Sequence, residues 1–143
     1  MPRYLAIDLG DKRTGLAVGD DVTMLVSPAG QLEVPTAHHG GDALLDAIAK
    51  ACEEHLGPSD ELVLGIPLNM DGTEGPRAKL VRTWAARISE RTGRTVHLTD
   101  ERETSEHADE RMARTGLTHG QKKQRRDALA AAEILRRFLA SDT

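Results

Sequence analysis

Two stretches, 3 to 9 and 14 to 20, alternate or run apolar around the polar turn "GDKR", the pattern of a β-hairpin. A third strand is predicted around 24 to 34, completing a meander. "PTAHHGGD" breaks the pattern. Leu44, Ile48, Cys52 and Leu56 then recur at fourfold spacing, predicting an amphipathic helix over 42 to 56 that ends at Gly57 and Pro58. "LVLGI", 62 to 66, is the unbroken apolar run of a strand covered on both faces. After the loop "PLNMDGTEG", Leu80, Trp84 and Ile88 mark one face of a helix over 76 to 92, with Pro76 near its start and Gly93 just past its end. "TVHL" is a short strand leading into "TDER", and Thr104 or Ser105 caps a helix through Arg114, stopped by Gly116. The polar loop "LTHGQKKQRR" precedes a last, alanine-rich helix over 126 to 140. With no repeat, low-complexity tract or linker, 1 to 143 is expected to be one α/β domain with a mixed sheet.

Composition narrows the function classes. Tyr4, Trp84 and Phe138 are the only aromatic residues, so the core is aliphatic and base-stacking platforms are not expected. A formal charge of −4 argues against coating nucleic acid by bulk electrostatics, though not against a local basic patch. The lone Cys52, on the apolar side of its helix, makes no internal disulfide and fits a reducing compartment. No charged-then-apolar leader opens the sequence, and no apolar run approaches the ~18 residues of a membrane span. A cytoplasmic protein without membrane contact is expected. The six histidines and one cysteine show neither HExxH nor zinc spacing, and neither GxxxxGK[ST] nor GxGxxG is present.

The chemistry concentrates in carboxylates. If Leu9 pairs with Thr14 across the turn, Asp8 faces Gly15, Ala6 faces Ala17 and Tyr4 faces Gly19, all on one nearly bare side of the sheet. Such a surface admits a helix of small residues, and the last helix, with Ala128, Ala130, Ala131 and Ala132, is the one that qualifies. Its first turn carries Asp127, aligned at helical spacing with Ala131, Ile134 and Phe138. Asp100 and Glu101 stand where the fifth strand ends, and the carboxyl ends of parallel strands are where open α/β sheets bind ligands. Converging carboxylates repel unless a cation joins them, and Mg2+ or Mn2+ suits an all-oxygen site. Two such ions about 4 Å apart would clamp the attacking and leaving oxygens of a phosphodiester displacement. Each acid also has a structural reading: Asp8 as a turn anchor, Asp127 as a favourable charge at a helix start, Asp100 and Glu101 as exposed loop acids. Lys12 and Arg13 lie just beyond Asp8, and Lys122, Lys123, Arg125 and Arg126 just before Asp127. They flank the acids as a polyanion's backbone would require, or are solvated loop charges.

"DLGDKRTGLAVGD", "GIPLNMDGTEGPRA", "DERETS" and "RRDALAAAEIL", in this order across roughly 3 to 139, resemble the YqgF (RuvX-like) family. The resemblance implies an RNase H-like fold: a five-stranded mixed sheet, three antiparallel strands then two parallel, with helices on both faces. It implies a metal-dependent nuclease with acids at Asp8, Glu101 (Asp100 beside it) and Asp127. Members have been associated with Holliday junctions and with maturation of the small-subunit ribosomal RNA precursor, so the expected partner is structured RNA or branched DNA. It also suggests roles for Asn69, Asp71 and Gly72, and for Arg102 and Thr104. Related resolvases place a carboxylate on the fourth strand; "LVLGIP" has none, which assigns that ligand to "DER". One rival is a catalytically silent nucleic-acid-binding or ribosome-assembly factor of the same fold. Another follows from the likeness of "DLGDKRTGLAV" to the phosphate hairpin of actin-like kinases, which close two such domains over a nucleotide where this chain supplies one. Oligomeric state is expected to be monomer or weak homodimer, since no exposed apolar stripe announces a partner copy.

Overall fold

The computed structural model describes residues 3–100 and 119–141, with side chains of the last helix from Asp127 onward. Strands β1 (Arg3–Asp8), β2 (Thr14–Asp20) and β3 (Val26–Leu32) form the expected antiparallel meander. β3 is shorter than 24 to 34 for a local reason. The Asp20 carboxylate accepts the N–H groups of Val22 and Thr23 at 2.9 and 2.7 Å, and Met24 turns to a positive φ of 61°, so the connection is a bonded turn that delays extended chain.

Strands β4 (Glu61–Ile66) and β5 (Val96–Asp100) add parallel to β1, giving the order β3-β2-β1-β4-β5. Helices α1 (Asp42–His55) and α2 (Pro76–Thr92) cover one face, and α3 (His119–Ser141) the other. Strand alternation sorts the side chains between two cores. Leu5, Ile7, Leu16, Leu62 and Leu64 meet Leu44, Ile48, Val81, Trp84 and Ile88 beneath α1 and α2. Tyr4, Ala6, Ala17 and Val63 meet Ala131, Ile134, Leu135 and Phe138 of α3. Each large aliphatic chain sealed in this way contributes about 1.5–3 kcal/mol. Cys52 is buried and free as expected, and burial pushes its thiol pKa up.

Two expectations are corrected. The stretch read as the end of a polar loop is helical from His119, because Gln121, Lys122, Lys123, Gln124, Arg125 and Arg126 are good helix formers in a run without proline. On α2 the buried stripe is Ala78, Val81, Trp84 and Ile88, while Leu80 is 42% exposed; the 3.6-residue period shifts the core side by one position. The helix expected from Thr104 to Arg114 lies outside the described residues.

Candidate functional site

The register places Asp8 opposite Gly15, Ala6 opposite Ala17 and Tyr4 opposite Gly19, as the sequence pattern required. Directly paired residues share a face, so Asp8 extends the side on which Tyr4, Ala6 and Ala17 pack against α3. The approach is close. A Cβ built on Gly15 would stand 1.9 Å from the carbonyl oxygen of Asp127, so glycine lets the turn of α3 that carries Asp127 rest on the hairpin. The small side chains of this face thereby hold the Asp127 backbone against the strand residue paired with Asp8, at the carboxyl end of β1. Asp8 and Asp127 are both half-buried. Arg13, just beyond the hairpin turn, reaches back with Nε 3.4 Å from Oδ2 of Asp127.

Asp100 ends β5, two strands from β1, or about 9.5 Å across the sheet. Ile7 lies level with Leu64 and Leu98, and Asp100 with Ile66, so β1, β4 and β5 finish on the same rim. Within β5, His97 touches Tyr4 and Phe138 on the α3 side, while Val96 and Leu98 join the opposite core. Asp100 has the parity of Leu98. Its backbone carbonyl accepts a 2.8 Å hydrogen bond from Arg137 of α3, a residue the sequence reading missed because no local pattern pairs α3 with the end of β5. Glu101, Arg102 and Thr104 lie outside the described residues. Among the described residues no group of three or more His, Cys, Asp or Glu forms a metal-binding cluster.

The loop after β4 is a small hairpin closed by the Leu68–Glu74 bridge. Asp71 accepts the N–H of Thr73 at 3.0 Å, the Asn69 amide donates to the Thr73 hydroxyl at 3.0 Å, and Gly72 takes a φ of +86° that a side chain would disfavour. These three residues therefore shape the loop. Arg82 grips both oxygens of Glu74 at 2.6 and 2.7 Å and holds that carboxyl below its usual pKa. A second residue missed from sequence is Arg77, at the start of α2. It pairs with Asp11 and donates to the Leu9 carbonyl at 3.0 Å, fixing the turn between Asp8 and Arg13 from behind. Lys12 projects from this turn, exposed. Lys122, Lys123, Arg125 and Arg126 belong to the α3 backbone just before Asp127, their side chains outside the described set.

A curated relative from Anaeromyxobacter sp., named "Putative pre-16S rRNA nuclease", is 38% identical over 138 residues, covering 96% of each chain. One of the same name from Lactococcus lactis is 30% identical over 137 residues, covering 96% of this chain and 93% of its own. RuvC of Thermus thermophilus, solved in complex with a Holliday junction substrate, matches at a TM-score of 0.59 and 14% identity over 99% of this chain and 96% of its own, a likeness that establishes the RNase H-like fold. The model of the family described as RuvX, Holliday junction resolvase, matches residues 2–141, and the chain belongs to that family.

Proposed function

We propose that the chain is a divalent-metal-dependent nuclease that hydrolyses phosphodiester bonds in structured RNA, with the pre-16S ribosomal RNA precursor as substrate class. The observation that carries this reading is the seating of α3 on the Gly/Ala face, which brings Asp127 to the strand pair that ends in Asp8. The substrate class follows from the names of relatives at 30 to 38% identity over nearly the whole chain. A second reading, cleavage of branched DNA, is favoured by the description of the family itself.

The donors fit a hard cation. Asp8 and Asp127 offer only oxygen and sit half-buried, where like charges brought together are costly, and Asp127 already has a cationic group, Arg13, beside it. In this reading Asp8, Asp127 and Glu101 would hold Mg2+ or Mn2+. Asp100 has the parity of Leu98, on the sheet side opposite Asp8. A bound cation of this class supplies an activated water and stabilises charge on the phosphoryl oxygens. The protein's share is positional. α3 fixes Asp127, the clamp of Arg77 on the hairpin turn fixes the chain after Asp8, and Lys12 with the basic turn before Asp127 would carry the substrate backbone. No helix among the described residues is long and apolar enough to cross a membrane, and the buried Cys52 thiol supports action in the cytoplasm.

The test compares labelled precursor RNA, linear duplex and four-way junction DNA as substrates in Mg2+, Mn2+ and chelator. Metal-dependent cleavage of the precursor supports the reading, and preference for the junction selects the second. Binding without cleavage in any metal would leave a silent binding factor and overturn both.

A further inference from the structure

Arg13 was expected to hold substrate phosphate, yet its guanidinium is turned inward to Asp127. The two side chains are 25% and 24% exposed, and the guanidinium approaches with Nε 3.4 Å from Oδ2. That is long beside the 2.7–2.9 Å of a strong charge-assisted hydrogen bond. The contrast within the same molecule is Arg82, which engages both oxygens of Glu74 at 2.6 and 2.7 Å. Arg13 thus compensates the charge of Asp127 without being locked to it. The backbones on either side are anchored independently of this contact. The hairpin turn is held by Arg77 at Asp11 and Leu9 and by the Thr36 N–H on the Asp11 carbonyl at 3.0 Å, and the Asp127 backbone is pressed against Gly15. The guanidinium can therefore leave by side-chain rotation alone, with Asp127 kept in place.

We propose that Arg13 is the resident counter-ion of Asp127: it neutralises this carboxylate until the divalent cation takes its place, and the displaced guanidinium then turns to the substrate phosphate. The exchange rests on the metal-dependent reading above. It makes Arg13 a positioning residue that couples loading of the site to capture of the polyanion, since the cation and the guanidinium compete for the same carboxylate oxygen.

The test is calorimetric titration of the metal-free protein with Mn2+, for the parent, Arg13→Gln, Arg13→Lys and Asp127→Asn. Without the Arg13 charge to displace, Arg13→Gln should bind Mn2+ about two- to five-fold more tightly, the range expected for losing one partly exposed ion pair. Arg13→Lys should stay near the parent, and Asp127→Asn should lose the site. In the parent, the Arg13 Nε–H resonance, assigned by its absence from Arg13→Gln or Arg13→Lys, should shift as Mg2+ saturates the site; this reading stands even if Arg13→Gln fails to fold. Mn2+ binding that needs Asp127 but is unchanged or weaker in folded Arg13→Gln, or an Arg13 resonance indifferent to Mg2+, overturns the counter-ion role and leaves the metal site standing. Absence of Mn2+ binding by the parent overturns both.

Discussion

Gly15→Ala is the sharpest perturbation of the site, because it adds one methyl group where the helix backbone already is. Gly15 is not one of the glycines with positive φ, so alanine meets no conformational strain and the effect is steric alone. The added carbon would lie 1.9 Å from the Asp127 carbonyl oxygen and 2.4 Å from its carbon. Real contacts of this kind essentially never fall below 3.0 Å, so the separation must open from 1.9 to at least 3.0 Å, a retreat of about 1.1 Å by the turn that bears Asp127. Overpacking of this sort costs about 1–3 kcal/mol, against which the lower entropy of an unfolded alanine returns up to ~1 kcal/mol. For a chain of this length the melting temperature should fall by roughly 2–10 °C. Function should suffer more than stability, since a displacement near 1 Å can cost about 100-fold in rate. Melting curves, Mn2+ titration and the precursor cleavage assay are read together, with Phe138→Leu as the control. Phe138 lies in the same core beneath α3 but packs on Tyr4, away from Asp127. That variant should be destabilised by about 1 kcal/mol while folded protein keeps its metal affinity and rate. A Gly15→Ala protein that melts, binds Mn2+ and cleaves as the parent does would refute the claim that α3 sets the site by resting on this glycine.

Asp8→Asn should reduce turnover by about 100-fold or more, and Mg2+ should raise the melting temperature of the parent more than that of the variant; equal shifts with retained cleavage would make Asp8 a turn anchor only. Replacing Lys122, Lys123, Arg125 and Arg126 together by alanine should flatten the salt dependence of duplex binding by up to about 0.9 per lost phosphate contact, while the helix persists because alanine favours it. An unchanged slope would put the docking surface elsewhere. Burial raises the pKa of Asp60, but the N–H groups of Arg3 and Gly57, at 2.9 and 2.7 Å, and the nearby Arg94 and Arg3 charges outweigh it and hold the carboxyl below its usual 3.8. A depressed folded pKa stabilises the native state above the unfolded value and loses that contribution as pH falls through the folded one. Urea melts should therefore show Asp60→Asn less stable than the parent by about 1 kcal/mol at pH 7 and the gap narrowing below about pH 4; a constant gap down to pH 2.5 would contradict the assignment.

Local patterns carried much of this molecule. Alternation along 3 to 20 specified not only a hairpin but its register, because a slip by one residue would have turned Leu5 and Ile7 away from α1 and α2 and into the close contact with α3 that only small residues allow. The same parity exposed a face of Gly15, Ala17, Ala6 and Gly19 too bare to be covered by anything but a helix of small residues, which is why the pairing of α3 with that face could be read from composition. Pro76 and Gly93 marked the ends of α2 to the residue. What sequence could not carry is contact between elements far apart in the chain. Arg13 reads as one more basic loop residue until α3 brings Asp127 to it; Arg77 and Arg137 acquire their roles at Leu9, Asp11 and Asp100 only when packing sets helix ends against strand ends. The start of α3 was lost for a related reason. A polar run without periodicity looks like a loop, while the backbone needs only good helix formers to go on bonding to itself. Periodicity records which face is buried, so it survives in the sequence; the partner of an arginine depends on where the tertiary fold delivers a carboxylate, and no spacing along the chain encodes it.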